Sequence, residues 1–568
     1  MIITMMCEGI HPGLLLILAG LICPLIRGVW RSIWVLVMPL VSLGLIWSVP
    51  SVSECTITFL DYNLMPFSVD SLSRLFATIF SVMCVVGTLY CFRQAKILEL
   101  SAALVYAGAA IGVTFAGDLI TVFIFWEIMA LGSTLVLWSA GTRSSWESGM
   151  RYVLIHLLGG VVLMTGIVAY SQETGSIEFI AMSPGSLGTW LIFAGFLLNA
   201  GAPPLSAWLA DAYPEASFSG MVFLSAFTTK TAVYVLLRGF PGTDLLIYIG
   251  LFMIFYGIIY ALLENDMRRI LAYSIVNQVG FMVCGIGIGT DLALNGAAAH
   301  AFTHIIYKAL LLMSAGSVLY MTGKRKCTDL GGLIHTMPFT ATCGIIGALA
   351  ISAFPLTSGF ISKSMITQTA AENQLLLVWI LLQAASAGVF LHAGIKFPWF
   401  VFFQKDSGLR PAEAPLNMRL AMLIFAFLCI LLGVMPGLLY WMLPYKVDFV
   451  PYTAPHVITQ LQLLLFSGLA FFVMLSWMQR SLTISLDFDW FYRKLFPSSW
   501  NIARRSYDSL ETCVKELGNR VFCCVGMGVS RVYGEEGFIT KTGQTSYAVF
   551  VAMVFLLGYL LFYLFNLR

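Results

Sequence analysis

Residues 297–316 read AAAHAFTHIIYKALLLMSAG. At ~1.5 Å of rise per residue, a run of this length crosses the roughly 30 Å hydrocarbon of a bilayer as one helix. His300, His304 and Lys308 recur at i, i+4 and i+8, which places all three on one face. An ionisable side chain at mid-helix costs on the order of 3 kcal/mol on membrane-insertion scales, so a face that carries three of them requires a reason.

The rest of the chain has the same character. Of its 568 residues 59% are hydrophobic and only 10% charged, with a mean hydropathy of +0.89. Soluble domains carry about 25% charged residues, so a water-soluble enzyme is excluded. The net charge of +3, from 31 Lys and Arg against 28 Asp and Glu, does not suggest nucleic acid as a partner. The apolar runs are continuous and not alternating, which predicts helices and excludes a transmembrane β-barrel. The expected fold is an all-α polytopic membrane protein of about sixteen transmembrane helices. Spans are predicted at 12–26, 30–50, 68–92, 97–116, 119–140, 149–170, 188–209, 216–238, 244–263 and 268–288, then at 292–320, 337–368, 376–403, 418–441, 456–478 and 546–566.

Basic residues test that count. Loops after odd-numbered spans carry Arg27 and Arg31, Arg93 and Lys96, Arg143, Arg268, Lys324 to Lys326, and Lys405 with Arg410; loops after even-numbered spans carry mainly acids. The positive-inside rule places the first set in the cytoplasm and the N-terminus outside, in a cell (inner) membrane. The acidic loop from Asp211 to Glu215 is the exception. The N-terminal apolar run lacks a basic region before it and reads as a first span, not a cleaved signal. Residues 479–545 mix aromatics with both signs of charge, which fits a cytoplasmic helical segment lying along the interface or a short soluble appendage. The 12 cysteines include no CxxC pair and read as small core hydrophobes, with the adjacent Cys523 and Cys524 the only candidates for metal or redox chemistry.

Two segments share a pattern: AGAPPLSAWLADA at 200–212 and SAFPLTSGFISKS at 352–364. Pro203, Pro204 and Pro355 each remove an amide donor inside an apolar stretch and break the helix there. Paired interruptions in two halves of a membrane protein point to a transport site, whereas a single one reads as a plain kink. Further ionisable residues fall inside spans: Glu127 in DLITVFIFWEIMALGSTLVLW, Lys230 in VFLSAFTTKTAVYVLLR, Lys363 after the second interruption, and Lys396 in VFLHAGIKFPWFVFF. Lys396 sits near a helix end, where snorkelling to the interface competes with a functional role. His156 reads as a satisfied core residue and Arg74 as an interfacial anchor. HAFTH has Ala301 where a zinc-binding HExxH has glutamate, so no metal site is expected, and no nucleotide loop or haem ligand pair is present. No cofactor is expected. Buried acids and bases in series can exchange protons, each charge state setting its neighbour's affinity, which leaves ion translocation as the function.

Five motifs then occur in order: DLITVFIFWE (118–127), PLSAWLADAY (204–213), NDMRRILAYSIVNQVGFM (265–282), HAFTHIIYKALLLMSAGSV (300–318) and FPLTSGFISK (354–363). Over roughly 65–440 the chain resembles the antiporter-like subunits shared by respiratory complex I and the Mrp-type multisubunit Na⁺/H⁺ antiporters. FWEIMALGS and SAFTTKTAVYVLLRGFPG are most similar to the Mrp D-subunit branch. The resemblance implies two inverted five-helix repeats, at 97–238 and 244–403, each with a broken helix. Residues 1–96 and 404–478 add flanking transmembrane helices, and 546–568 a final one. It also implies roles: Glu127 as the acid that pairs with a lysine, Lys230 as the base of the eighth span, His300, His304 and Lys308 as the central connection, and Lys363 as the terminal lysine of the second half-channel. The lysine expected five residues before the proline of the first broken helix is replaced by Asn199, which makes Lys230 the substitute partner of Glu127. DFDWFYRKLF (487–496) is similar to the start of a lateral helix in longer members. Expected partners are other membrane subunits, the lipid bilayer, and H⁺ with Na⁺ or another monovalent cation. The competing readings are a proton-pumping subunit of a redox complex, NADH-quinone oxidoreductase-like or hydrogenase, whose redox groups lie in its partners, and a plain membrane scaffold.

Overall fold

The structure is a computed structural model that describes residues 11–50, 53–59, 62–476, 487, 490–535, 537, 539–540 and 545–566. It has two compact units, Met1–Asp489 and Trp490–Arg568.

The first unit opens with α1 (Pro12–Ile22) and α2 (Val29–Ser48), followed by a hairpin of β1 (Ser53–Phe59) and β2 (Tyr62–Val69). Then come α3 (Ser71–Cys91), α4 (Ile97–Phe115), α5 (Leu119–Trp138), α6 (Arg143–Thr174), α7 (Leu187–Ala200), the short α8 (Trp208–Ala212), α9 (Gly220–Ala226), α10 (Thr228–Gly239) and α11 (Leu245–Leu263). The unit continues through α12 (Met267–Ile288), α13 (Asp291–Thr322), α14 (Pro338–Ile351), α15 (Ser358–Glu372) and α16 (Leu376–Val389), which runs into π-helical turns at Phe390–Lys396 and Trp399–Phe403. It closes with α17 (Leu416–Val434), α18 (Gly437–Tyr440) and α19 (Ala454–Val473). The second unit holds α20 (Phe496–Tyr533) and α21 (Thr545–Phe565).

Among the described residues thirteen helices are long and apolar enough to cross a membrane, and three shorter apolar helices, Pro12–Leu25, Leu187–Ala200 and Pro338–Ile351, add to them. The protein is therefore a helical, multi-pass membrane protein. Two of the short ones, α7 and α14, are the first parts of the spans predicted at 188–209 and 337–368; they end at Ala200 and Ile351, just before Pro203 and Pro355. Capping marks the starts: Asp70 and Ser73 bond reciprocally at α3, as do Thr142 and Ser145 at α6 and Ser186 and Thr189 at α7. Small residues let the spans close up. A Cβ on Gly280 would lie 2.6 Å from the Gly250 carbonyl, so α11 and α12 meet backbone to backbone.

Helices α12 and α13 form the centre, and essentially all of α12 is buried although it contains Ser274, Asn277 and Gln278. The hairpin was not foreseen in the predicted loop containing Glu54 and Asp61. Nor was its chemistry: Cys55 is disulfide-bonded, against its reading as a small core hydrophobe, while seven others among the described residues are buried. Arg74 donates to the carbonyls of Val49 (2.8 Å) and Pro50 (3.1 Å) and stacks on Trp47, so it ties down the end of α2. The acidic loop that broke the charge rule is neutralised in place. Asp211 takes a bidentate pair from Arg151 (2.7 and 2.8 Å), and Glu215 pairs with Arg325 at 2.9 Å.

The polar stretch predicted at 479–545 contains one long helix, α20, whose apolar residues, such as Leu510, Val514, Leu517 and Val521, recur along one side and are exposed within their own unit. The stretch's residues 479–486, 488–489, 536, 538 and 541–544 lie outside the described residues.

Candidate functional site

The site begins at the helix interruptions. When a membrane helix stops, its last carbonyls lose their amide partners and must find donors within the protein. At the first interruption α7 ends on Gly201 (φ +79°), whose amide donates to the Leu198 carbonyl at 3.1 Å, and Trp208 of α8 donates Nε1–H to the same carbonyl at 3.1 Å. At the second, Ala353 (φ +57°) and Leu356 (φ +69°) hold left-handed conformations that cost non-glycine residues of order 1 kcal/mol each. There Lys363 donates to the Ile351 carbonyl at 2.8 Å and Gln460 to the Ser352 carbonyl at 3.3 Å. A third interruption, unforeseen within the span predicted at 216–238, separates α9 from α10 at Phe227. Lys230 reaches back across it to the Ser225 carbonyl (2.7 Å) and to the Thr229 hydroxyl (3.0 Å).

Between these two lysines lies the polar face of α13. His300, His304 and Lys308 have no solvent exposure, as the i, i+4 spacing inside an apolar run implied. Lys308 Nζ and both ring nitrogens of His304 have no hydrogen-bond partner among the described residues. Native proteins rarely leave buried polar atoms so. The charges of Lys230, Lys308 and Lys363 all act on His304, and those of Lys363 and Lys230 on His300. His300 bonds to Ser362 of α15 (2.9 Å) and to Gln278 of α12 (3.1 Å), and Lys363 sits 4.8 Å from the Phe281 ring centroid as a cation–π contact. Lys230, Lys308, His304, His300 and Lys363 therefore form one row across α10, α13 and α15.

Glu127 and Lys396 stand apart from it. Glu127 is half-buried in α5, and its Oε1, without a partner, occupies the space that a side chain at Gly160 of α6 would need: a Cβ there would lie 1.9 Å away. No ion pair joins Glu127 to Lys230, and the expected coupling is not made in this structure. The reason is that Lys230 turns to the interruption at Phe227 while Glu127 turns to α6. Asn199, in the place of the expected lysine, is fully buried with both amide atoms unpartnered. Lys396 spends its donors on the end of α11: it binds the carbonyls of Ala261 (3.1 Å), Leu262 (2.5 Å) and Glu264 (2.6 Å).

Several polar groups at the site escaped sequence reading. His156, taken as a satisfied core residue, has Nδ1 against the Tyr152 carbonyl at 2.9 Å but an unpartnered Nε2, and its ring packs edge-on to Trp208 at the first interruption. Asn277, Gln278 and His392 are fully buried beside the row. Their signal was present as polar residues inside apolar runs, in IVNQVGF and FLHAGIK. Glu99, 1% exposed, accepts hydrogen bonds from Ser139 (3.2 Å), Ser217 (2.8 Å) and Ser219, and so ties α4 to the turn before α9.

Residues 116–389, which include the whole row, match the family described as NADH:quinone oxidoreductase/Mrp antiporter, TM. The chain is 30% identical over 341 residues to the D subunit of the Na⁺/H⁺ antiporter of Alkalihalophilus pseudofirmus, a match that covers 54% of this chain and 68% of that one. It is 27% identical over 423 residues to hydrogenase-4 component B of Escherichia coli, covering 66% of this chain and 62% of the relative. In fold it is similar to a chain of the membrane-bound sulfane sulfur reductase, an archaeal respiratory membrane complex, with a TM-score of 0.71 at 23% identity over 96% of this chain and 99% of that one. The chain belongs to the NADH:quinone oxidoreductase/Mrp antiporter transmembrane family.

Proposed function

We propose that the chain is the proton-translocating subunit of a multisubunit monovalent cation (Na⁺)/H⁺ antiporter, and that protons move along Lys230, Lys308, His304, His300 and Lys363. The observation that carries this reading is the fully buried ammonium of Lys308 beside the imidazole of His304, both without a hydrogen-bond partner among the described residues. The second and third interruptions each supply one fixed carbonyl to a lysine, Ile351 to Lys363 and Ser225 to Lys230, so each ammonium has a resting place from which it can be drawn toward α13. Glu127, with Asn199 and His156 on neighbouring helices, forms the entrance to the first half, 97–238. The second half, 244–403, runs from His300 through Lys363 toward Lys396 as the inverted repeat of the first, with Pro203, Pro204 and Pro355 at the corresponding breaks.

The chain works in the cell membrane with its N-terminus outside. The charge bias of the loops supports that orientation, and so does the disulfide at Cys55, which needs an oxidising compartment. Its partners are other membrane subunits, for which the antiporter relative and the exposed apolar side of α20 speak.

The test is Na⁺-driven pH change in everted vesicles that contain the assembled complex. Lys308→Ala abolishes it and Lys308→Arg retains part, with assembly checked by co-purification; full activity in Lys308→Ala refutes the reading. A second reading, a proton-pumping subunit of a redox-driven complex, is favoured by the end-to-end likeness to a chain of a respiratory complex, which extends over the C-terminal unit. Co-purifying iron–sulfur subunits decide for that reading, and co-purifying small membrane subunits without redox groups decide for the antiporter.

A further inference from the structure

The row of charges has a branch that leaves it through uncharged side chains. His392 lies in the π-helical turn Phe390–Lys396, and such turns inside helices recur at functional sites. Its Nδ1 is 2.8 Å from the Gly388 carbonyl, which can only accept, so Nδ1 carries the proton and Nε2 of the neutral ring is an acceptor. Asn277 Nδ2 donates to that Nε2 at 3.0 Å, and Asn277 Oδ1 accepts from Gln278 Nε2 at 2.5 Å. Gln278 Oε1 accepts from His300 Nε2 at 3.1 Å, which leaves His300 Nδ1 to accept from the Ser362 hydroxyl at 2.9 Å. Every donor in this series points the same way, from Ser362 to Gly388, and His300, Gln278, Asn277 and His392 have no solvent exposure.

We infer that Asn277 and Gln278 form an amide relay that makes a second proton on His392 and a proton at His300 Nε2 mutually exclusive. When His392 gains a proton at Nε2 it becomes a donor at both nitrogens, and Asn277 must turn to offer Oδ1. Its Nδ2 then faces Gln278, which turns in the same sense and offers Nε2 to His300. His300 holds its own proton at Nδ1 in that state and donates it to the Ser362 hydroxyl, which turns its hydrogen to the Ser358 or Gly359 carbonyl, so the charge of His300 is unchanged. Side-chain amides hand on orientation without conducting protons, so the relay links the two histidines while keeping them from short-circuiting. Tyr307, 3.2 Å from Gln278 Oε1 and 3.3 Å from His300 Nε2, stands at the junction.

The charges that act on His392 are those of Lys308, Lys396 and Lys363. Of the other elements packed against its turn, α11, α14 and α16 bring no charged side chain, α12 brings Arg268 and Arg269 at its first turn, and α19 brings only His456 at its start.

The inference rests on the transport reading above, and Lys308→Ala separates the two: if that variant transports normally, the transport reading fails and not the relay alone. The relay is tested by the pH profile of transport in the same vesicles. His392→Gln is expected to move the pH midpoint by about 1 unit, the worth of one buried hydrogen bond. Asn277→Asp keeps the side-chain shape, but a carboxylate accepts from both neighbours and so permits protons at both histidines. In that background His392→Gln is expected to cause no shift, and Gln278→Glu, shape-preserving in the same way, to give the same result. An equal shift in all backgrounds, or none in the wild-type background, overturns the relay.

Discussion

Lys396→Met separates the two roles open to that lysine. The thioether is close in length and keeps the packing of the alkyl stem, but it removes every donor from the carbonyls of Ala261, Leu262 and Glu264 at the end of α11. The bonds to Ala261 and Glu264 are buried and the one to Leu262 is partly so. Leaving a buried carbonyl without a partner costs about 1–3 kcal/mol, so two give roughly 2–6 kcal/mol. The loss of the cation from a helix C-terminus adds up to ~1 kcal/mol. Against this stands the recovered cost of holding a 5% exposed ammonium away from water, several kcal/mol. The net effect expected is a destabilisation of about 2 kcal/mol centred on the α11–α12 turn, toward the lower end of the carbonyl cost. The assay is thermal denaturation of the purified complex in nanodiscs, with protease cleavage near residue 264 as the local readout. A melt lowered by several degrees and earlier cleavage are expected, with Lys396→Arg restoring much of both. An unchanged melt together with abolished transport would refute the capping role and place Lys396 in the proton path.

Two further outcomes follow from the same geometry. Gly160→Ala puts a methyl group where Glu127 Oε1 now sits; since the carboxylate is the free end of a flexible side chain, it moves, and the complex is expected to keep its stability while transport at low substrate falls several-fold, with wild-type transport the contrary result. Outside the membrane spans, burial pushes the Glu215 carboxyl up, but its hydrogen bonds and charge interactions, those with Arg325 foremost, outweigh burial and hold it below the ordinary glutamate value. A lowered folded pKa contributes stability above the unfolded value of about 4.3 and loses it as pH falls through the folded value. The melting temperature is therefore expected to drop below about pH 4 in the wild type, and in Arg325→Gln, where burial acts with less opposition, to start lower near neutral pH and to drop less on acidification; equally large drops would contradict this.

Much of the site was legible because charge inside an apolar run is conspicuous. His300, His304 and Lys308 could be placed on one face from spacing alone, since helix periodicity is local, and Lys230 and Lys363 stood out against the residues flanking them. The two proline interruptions were legible for the same reason, as proline acts on its own backbone. The break at Phe227 carries no proline or glycine and gave no such signal. Packing decided the rest. That Glu127 meets Gly160 and not Lys230 depends on how α5 sits against α6, and that Lys396 binds α11 depends on contacts more than 130 residues apart in sequence.

By itself, then, the amino-acid order determined a helical membrane protein, its spans, the residues that break them and the ionisable groups each must bury, because bilayer insertion, helix period and proline sterics act within a single segment. Only the tertiary structure decided which of those groups meet. Asn277 and His392 lie 115 positions apart and bond at 3.0 Å because α12 and the π-helical turn pack together. Hydrogen bonds and charges in a low-dielectric interior are chosen by such proximity, and no periodicity along one helix encodes it.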